Sequence, residues 1–325
     1  MIFRNYSDLE FCISQNLHRI PRDVDIVVGV PRSGLVAALP IALSLNVPLT
    51  DPEGLLTGKI LGSGRRLVQS GSQELISSAR RILVVDDSLA SGTEMMRVRD
   101  YLKGAGFSDK LYFMVIYAAD ARHARDFVDI WLEECPIPRL FSWNMMHHSA
   151  LANACVDIDG VLCVDPSEEQ NDDGEKYRDF LLNATPLYLP TVRIGSLVTS
   201  RLEKYRKETE QWLSKHNIEY EKLLMWDVAT KQVRQSLGTH GEFKGLIYKA
   251  NLSADIFIES SPEQAYAIAQ TALKPVICIG DLSLYEPSLS SLVKGTIKKA
   301  NRKFKKKLQL INNTVKNKLL ELNRW

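Results

Sequence analysis

Short apolar runs alternate with longer amphipathic segments along most of the chain. Runs of Val, Ile and Leu between turn residues predict buried β-strands at residues 25–30, 82–86, 112–118, 154–157, 195–199, 223–226, 255–258 and 275–279. Most of these runs are continuous rather than alternating, which is typical of strands buried on both faces of a parallel sheet. Helical segments lie between them, so the pattern predicts an α/β fold.

The length of the chain and the position of its polar strand ends favour two domains. The chain has 325 residues, which is long for a single hydrophobic core. Acidic, hydroxyl-bearing and Gly-rich strand ends fall into two groups, one before residue 145 and one after residue 155. In parallel sheets, ligands bind at the carboxyl ends of the strands. We therefore predict two Rossmann-like parallel-sheet domains, residues 1–148 and 149–285, each with an active site, and a C-terminal helix at residues 286–325.

Composition excludes several classes of protein. Hydrophobic residues make up 45% and charged residues 25% of the chain, as in globular proteins and unlike disordered or fibrous ones. We identify no apolar stretch long enough for a membrane span and no export signal at the N-terminus. The five cysteines include no C-x-x-C pair, so we expect reduced, buried thiols in a cytosolic protein, without zinc or disulfides.

The net charge of +2 conceals a basic tail on an acidic body. Residues 294–325 contain eleven lysine or arginine residues and a single acid, Glu321. Such a distribution does not indicate a general nucleic-acid binder, whose positive charge would line a groove. Apolar residues recur in the tail at helical spacing: Ile297, Ala300, Phe304, Leu308, Ile311, Val315, Leu319 and Leu322. A basic amphipathic helix fits an anionic membrane surface, and it equally fits packing on its own domain or on a second protomer.

The first group of strand ends contains a pattern suited to a sugar phosphate. The strand predicted at residues 82–86 leads into Asp86 and Asp87, and a small hydroxyl-rich turn, residues 88–93, then opens a helix. Two acids can accept hydrogen bonds from vicinal ribose hydroxyls, and backbone N–H groups at a helix N-terminus bind a phosphate monoester. A simple helix cap at Asp87 or Ser88 is the alternative, but a cap does not require paired acids followed by Ser-Gly-Thr.

Residues 82–94 resemble the phosphoribosyl pyrophosphate (PRPP) motif of type I phosphoribosyltransferases. Residues 28–34 look like the pyrophosphate loop of that family, and residues 59–72 resemble its mobile hood loop, although a plain surface hairpin explains the latter equally well by composition. The resemblance implies transfer of 5-phosphoribosyl from PRPP. It implies these substrate-binding residues: Arg32, Ser33, Gly34, Arg65, Arg66, Asp86, Asp87, Ser88, Ala90, Ser91, Gly92 and Thr93.

Two positions depart from that family pattern. Ser91 stands where the family usually has Thr, which keeps the hydroxyl. Glu94 stands where a second Thr is usual, and an acid beside the 5-phosphate would repel it. We therefore expect either that Glu94 points away from the phosphate or that Thr93 does the work of the missing hydroxyl.

The second group of strand ends contains two acids spaced for phosphate chemistry. Asp157 and Asp159 are two residues apart at a strand end, so they point to the same side. In a phosphatase the first such acid attacks phosphorus, and the second protonates the leaving oxygen. The spacing alone is weak evidence, because it is also common at metal sites and turns.

Three later segments follow the order of motifs in the haloacid dehalogenase (HAD) superfamily. Residues 197–201 resemble its second motif and residues 256–261 its fourth, where most relatives have two acids and this chain has Glu-Ser-Ser. The conserved positive charge would come from Lys244 or Lys249, of which we favour Lys244. The resemblance implies the catalytic residues Asp157, Asp159, Thr199 and Lys244 and the Mg²⁺ ligands Asp157, Asp159 and Glu259.

Helix-capping patterns accompany both of these later motifs. Residues 200–203, Ser-Arg-Leu-Glu, read as a capping box that opens an amphipathic helix. Ser261 followed by Pro262 predicts an N-cap with proline in the first turn. Capping alone is an alternative role for Thr199, Ser200 and Glu259.

Together, the two motif sets predict consecutive reactions in one chain. Up to about residue 285, the chain resembles a type I phosphoribosyltransferase fused to a HAD-type phosphatase, a pairing associated with ribofuranose in bacterial surface polysaccharides. The resemblance implies PRPP and Mg²⁺ as donor and cofactor, and a glycan acceptor, free or lipid-linked, at the cytoplasmic membrane face. A nucleobase phosphoribosyltransferase with a nucleotidase, and a non-catalytic PRPP sensor, stay open as alternatives, as does a homo-oligomer.

Overall fold

The computed structural model of the chain describes residues 1–63, 71–228, 230–237 and 239–288. Arg65, Arg66 and the apolar stripe of the basic tail lie outside the described residues. The chain divides into two compact units, Ile2–Trp143 and a second that begins at Asn144. Each unit is described by itself.

The first unit is built on a parallel sheet. Its strands are β1 (Ile2–Arg4), β2 (Ile26–Gly29), β3 (Leu49–Thr50), β4 (Ile82–Leu89), β5 (Leu111–Ala118), β6 (Ile130–Glu134) and β7 (Arg139–Phe141). Its helices are α1 (Tyr6–Gln15), α2 (Ser33–Leu45), α3 (Pro52–Thr57), α4 (Ser72–Ser78), α5 (Thr93–Gly104) and α6 (Ala121–Ala124). The main sheet has the order β3-β2-β4-β5-β6 with every pairing parallel, and β1 pairs with β7 in a separate parallel ribbon.

The apolar runs of this unit are buried on both faces of the sheet, as their lack of alternation predicts. In β4, Leu83 and Val85 pack into one hydrophobic cluster, and Ile82 and Val84 pack into the other. The strands predicted at residues 25–30, 82–86 and 112–118 are confirmed as β2, β4 and β5. Sequence analysis missed β1, β3, β6 and β7, which have two to five residues each and are too short for a periodic pattern.

The second unit has a mostly parallel sheet. Its strands are β8 (Ala154–Val156), β9 (Ile194–Leu202), β10 (Tyr220–Trp226), β11 (Ile256–Glu259), β12 (Val276–Cys278) and β13 (Ser283–Tyr285). Its helices are α7 (Glu175–Asn183), α8 (Arg206–Lys215), α9 (Lys231–Leu237), α10 (His240–Ala250) and α11 (Pro262–Ala272). The strand order is β10-β9-β8-β11-β12-β13, and only the β12–β13 pairing is antiparallel among the described strands of this sheet.

One predicted helix start in this unit is wrong and another is confirmed. The capping box read at residues 200–203 does not form, because β9 continues through Leu202 and α8 begins at Arg206. The fully buried Arg201 explains why, since its side chain is bonded inside the unit rather than exposed on a first helical turn. Ser261 does cap α11, accepting a hydrogen bond from the N–H of Gln264, with Pro262 in the first turn.

All five cysteine side chains are buried, as predicted, and free. No helix within the described residues is long and apolar enough to cross a bilayer.

Candidate functional site

The paired acids of the first unit lie at the carboxyl end of its central strand. On one side β2 ends at Gly29, opposite Val85, so Asp86 and Asp87 lie just beyond its carboxyl end; on the other side β5 continues alongside them, with Val115 opposite Asp86. The prediction ended this strand at Asp86, but its ladder with β5 continues to Leu89. Both acids therefore lie within a strand, and the helix cap proposed for Asp87 or Ser88 does not form; the N-cap of α5 is Gly92.

Asp87 is buried and held through both of its carboxylate oxygens. Ser33 Oγ donates to Oδ1 at 2.8 Å, and the indole Nε1–H of Trp143 donates to Oδ2 at 2.7 Å. The backbone N–H of Asp87 donates to Oδ1 of Asp86 at 2.8 Å. Burial and the neighbouring Asp87 carboxylate raise the pKa of Asp86 well above its ordinary value. Two carboxyl groups in fixed orientations at a sheet edge suit a ligand with adjacent hydroxyls.

We expect the substitution Trp143→Phe to raise the KM for PRPP about tenfold. The substitution keeps an aromatic ring against Phe141, whose ring centroid lies 4.9 Å away, but removes the N–H that orients Asp87. Losing a hydrogen bond to a charged group costs about 1.5–3 kcal/mol, and 1.4 kcal/mol is a tenfold change in affinity. Steady-state pyrophosphate release measures the effect, and Trp131→Phe is the matched control. Equal KM values for the two variants would contradict the role of Trp143.

The loop before α2 brings three of the predicted residues next to these acids. A Cβ on Gly34 would lie 2.8 Å from both Asp86 Oδ1 and the backbone oxygen of Val85, so only glycine lets the helix approach so closely. The peptide bond between Pro31 and Arg32 is cis. The side chain of Arg32 is exposed at this turn and has no hydrogen bond or ion pair to any described residue. The turn that brings Ser33 and Gly34 beside the acids therefore also presents an exposed guanidinium.

The turn after β4 ends at the N-terminus of a twelve-residue helix, α5. Ala90, Ser91 and Thr93 are exposed, and the hydroxyls of Ser91 and Thr93 lie 3.0 Å apart. Gly92 has φ of +79°, and a Cβ there would meet the Phe127 ring at 2.4 Å. Hydroxyls together with the unbonded N–H groups of a first helical turn are suited to an anion.

Glu94 follows this turn and is paired with Arg97, three residues later on the exposed side of α5. The hydrogen bond from Arg97 lowers the pKa of Glu94. This geometry favours the first of the two expectations from the sequence, that the Glu94 carboxylate points away from the phosphate.

We therefore expect Glu94→Gln to change the KM for PRPP by less than about twofold, because an exposed ion pair contributes little. Thr93→Val, which removes a hydroxyl from the same turn, should raise the KM about tenfold. Titration of PRPP in a pyrophosphate-release assay compares the two. A large fall in KM for Glu94→Gln would show instead that the acid repels the substrate.

The second candidate site lies at the carboxyl ends of β8 and β11 and beside the last third of β9. β8 pairs with β9 on one side and with β11 on the other. Asp157, Thr199 and Glu259 therefore reach one edge of the sheet. With Asp159 and Lys244 they line a cavity of about 310 Å³.

Lys244 is buried and joins two of these acids. Its Nζ donates to Asp157 Oδ2 at 2.6 Å, to Glu259 Oε2 at 2.7 Å and to Gln264 Oε1 at 2.8 Å, so all three ammonium hydrogens have acceptors. Burial works against the charged lysine, but the two carboxylates outweigh it and raise the pKa of Lys244. Lys249 is exposed on the same helix. Of the two lysines left open by the sequence, Lys244 is the one beside the acids.

One carboxylate oxygen of Asp157 accepts a hydrogen bond, and the other has no hydrogen-bond partner among the described residues. Oδ2 accepts from Lys244, whereas Oδ1 is buried and has no hydrogen-bond partner among the described residues. Burial raises the pKa of Asp157 to about 8, against the pull of the Lys244 ammonium. A buried polar atom without a partner is costly, so such atoms call for an explanation such as a bound ligand or a chemical role. A bare carboxylate oxygen at a cavity is suited to attack on phosphorus.

The other predicted residues of this site are bound to one arginine. The carboxylate of Asp159 accepts from the Arg201 guanidinium, with a shortest distance of 2.7 Å. Thr199 is 1% exposed, and its Oγ1 accepts from the backbone N–H of Arg201 at 3.2 Å. From the sequence, Arg201 was placed in the second motif and in a capping box but was given no role of its own, and neither Gln264 nor Trp143 was singled out.

The predicted Mg²⁺ ligands of this site do not form a ligand set in the structure. Within the described residues no group of three His, Cys, Asp or Glu side chains is placed to hold a metal ion. The carboxylate of Asp159 is bound by Arg201, and Glu259 is bound by Lys244 and by the N–H groups of Ser260 and Ser261. Of these three carboxylates, only Oδ1 of Asp157 lacks a partner among the described residues, so the three side chains, as placed, do not fit the predicted metal.

Comparison with known proteins bears on the first unit. The profile of the family described as "Phosphoribosyl transferase domain" matches residues 4–148. The parallel sheet with paired acids at its central strand end, together with this match, defines a type I phosphoribosyltransferase domain at the N-terminus of the chain.

Individual relatives match over shorter stretches of the chain. The amidophosphoribosyltransferase of Pyrococcus horikoshii is 38% identical over 96 residues, which are 26% of this chain and 21% of the relative. The enzyme of the same name from Synechococcus elongatus is 30% identical over 101 residues, or 27% and 20%. The chain thus spans about a fifth of the length of these curated relatives. The structure of Helicobacter pylori xanthine-guanine-hypoxanthine phosphoribosyltransferase covers 44% of this chain and 91% of its own, with 18% identity and a TM-score of 0.31.

Proposed function

We propose that the chain transfers 5-phosphoribosyl from PRPP to a glycan hydroxyl and then removes the 5-phosphate, leaving a ribofuranosyl group. Residues 1–148 would carry out the transfer and residues 149–285, as a HAD-like phosphatase, the hydrolysis. The observation that carries the second reaction is the bare oxygen of Asp157 beside Lys244 in a cavity. A site of this kind in the same chain as a phosphoribosyltransferase domain points to a phosphomonoester made by that domain.

In the first reaction the bond between C1 of ribose and pyrophosphate breaks, and the acceptor oxygen bonds to C1. The acceptor proton and pyrophosphate leave, and PRPP enters as its Mg²⁺ complex. Asp86 and Asp87 hold the ribose hydroxyls, and the segment from Ser88 to Thr93 holds the 5-phosphate. Arg32, whose side chain has no partner among the described residues, pairs with the departing pyrophosphate. Arg65 and Arg66 stay proposed ligands of PRPP from the sequence alone.

In the second reaction Oδ1 of Asp157 attacks the 5-phosphate, and the bond from phosphorus to the C5 oxygen breaks. Asp159 gives that oxygen its proton. Asp159 then takes a proton from water, whose oxygen displaces Asp157 and releases inorganic phosphate. Lys244 offsets the charge that gathers on the phosphoryl oxygens, and the hydroxyl of Thr199 bonds one of them.

Joining the two reactions has a chemical advantage. The first site binds its substrate through the 5-phosphate, so hydrolysis of that phosphate removes the group by which the product would bind again. Covalent linkage also keeps the intermediate near the second site, at an effective concentration on the order of mM for a flexible connection.

A product assay tests the proposal. Purified protein is incubated with PRPP, Mg²⁺ and a panel of glycan acceptors, free and lipid-linked, and products are identified by mass spectrometry. We expect a ribosylated glycan without phosphate, together with equal amounts of pyrophosphate and inorganic phosphate. If pyrophosphate is released only with nucleobases, the acceptor is a nucleobase and not a glycan. If the protein binds PRPP but turns over with no acceptor, the protein is a PRPP sensor and not an enzyme.

The same assay tests the role of the C-terminal tail. If the basic residues at 294–325 bring the chain to a lipid-linked acceptor, deletion of residues 289–325 should slow ribosylation in anionic vesicles and not in detergent. If the full-length and truncated proteins have equal rates in vesicles as well as in detergent, the tail does not bring the chain to a membrane.

A further inference from the structure

Arg201 is a second buried cation of this unit, paired with Asp159, whereas Lys244 is paired with Asp157 and Glu259. Its side chain is 0% exposed, although it lies at the end of a strand that opens onto the cavity. Nε lies 3.1 Å from each carboxylate oxygen of Asp159, and Nη2 lies 2.7 Å from Oδ1. Nη1 donates to the hydroxyl of Thr209 in α8 at 3.4 Å. A buried guanidinium is costly unless it is paired, and Asp159 is its only carboxylate partner among the described residues.

The two oxygens of Asp159 are bound unequally. Oδ1 accepts from Nε and Nη2 and from the thiol of Cys163 at 3.6 Å, whereas Oδ2 accepts only from Nε. The side chain of Asp159 keeps 19% exposure and lines the cavity. The bidentate contact therefore fixes the plane of the carboxyl group and leaves Oδ2 as its less occupied oxygen.

We propose that Arg201 is a positioning residue for proton transfer by Asp159. The inference rests on the proposed phosphatase reaction and adds to it the group that aims its acid. With Oδ1 held, Oδ2 delivers its proton to the C5 oxygen as the bond from that oxygen to phosphorus breaks. In the second half-reaction Oδ2 takes a proton back from the attacking water, so Asp159 ends the cycle as it began.

A purely structural role would be to link β9 to α8 through Thr209. The two roles predict different losses of rate when Arg201 is substituted, depending on the leaving group of the substrate. The C5 alkoxide of ribose 5-phosphate is a poor leaving group and needs the proton, whereas p-nitrophenolate leaves without one. Hydrolysis of the aspartyl-phosphate is common to both esters, so the contrast is confined to the steps up to departure of the leaving group, which kcat/KM reports. A misplaced Asp159 therefore lowers kcat/KM far more for the first ester than for the second, and a damaged fold lowers it equally for both.

The test measures kcat and KM of full-length protein for ribose 5-phosphate and p-nitrophenyl phosphate. For Arg201→Ala we expect kcat/KM for ribose 5-phosphate to fall about a hundredfold, the low end of the range for acid–base catalysis, and kcat/KM for p-nitrophenyl phosphate to fall less than fivefold. Asp159→Asn should give the same pattern, and the double variant should resemble Asp159→Asn alone, because the two residues act as a unit. Arg206→Ala, in a partly exposed arginine nearby, should change neither ester.

Equal losses on both esters for Arg201→Ala, or additive losses in the double variant, would overturn the proposal. If Arg201→Ala does not fold, Arg201→Lys replaces it, since lysine keeps the charge without the planar fork. That variant should show the same preference for p-nitrophenyl phosphate, and wild-type kcat/KM for both esters would overturn the proposal. A wild-type protein that hydrolyses neither ester would instead overturn the proposed phosphatase, and this inference with it.

Discussion

Asp157→Asn is expected to abolish release of inorganic phosphate and to leave release of pyrophosphate unchanged. The amide occupies nearly the same volume in the cavity but offers no carboxylate oxygen to attack phosphorus. Removing a nucleophile outright typically lowers kcat by several orders of magnitude, so we expect a loss of more than about a thousandfold. The transfer reaction uses residues of the other unit and should proceed. A ribosyl product that retains its 5-phosphate should then accumulate, and mass spectrometry identifies it.

Asp255→Asn is the matched control for this experiment. Asp255 is an exposed acid just before β11, outside the cavity, so its neutralisation should leave both reactions at wild-type rates. Phosphate release that survives in Asp157→Asn would show that another group attacks the ester. Loss of pyrophosphate release together with phosphate release would show that the two reactions are not separable in the way we propose.

The strands and the acids at their ends were predictable from the sequence because both depend on local pattern. A continuous apolar run specifies a buried strand, and a parallel sheet places successive carboxyl ends at one edge. Asp86 and Asp157 each follow such a run directly. The short strands β1 and β7 were not predictable, since three residues are too few for a period and their pairing joins distant parts of the unit.

The side chains that orient those acids depend on contacts that no local pattern records. Trp143 reaches Asp87 across 56 residues, and Arg201 reaches Asp159 across 42. Around Arg201 the letters Ser-Arg-Leu-Glu match a capping box, yet the chain stays extended there. We attribute this to tertiary bonding of the arginine, which outweighs the few tenths to about 2 kcal/mol that a cap contributes. Gln264 lies one turn after a correctly predicted cap, but nothing in the sequence connects it with Lys244.

Lys244→Met is expected to lower the free energy of unfolding by about 3–5 kcal/mol, because it leaves two buried carboxyl groups without their cation. Methionine fills a similar length, so the loss is electrostatic rather than a cavity. Burial raises the pKa of Asp157 from 3.8 to about 8 in the native protein, and without Lys244, which lowers it, the shift should grow. The folded variant then binds more protons than the unfolded chain from about pH 4 to above pH 8, so its stability falls as pH rises through that window. Wild type shares this fall up to about pH 8, so the difference between the two proteins stays constant below pH 8 and grows above it.

Urea unfolding at several pH values measures this difference. Lys249→Met changes an exposed lysine five residues along the same helix, so its stability should stay within about 0.5 kcal/mol of wild type at every pH. Similar small effects for both substitutions would mean that Asp157 and Glu259 do not need a buried cation. Lys244 would then lose its role in the site as well, because the same contacts that stabilise the two acids place its charge beside the cavity.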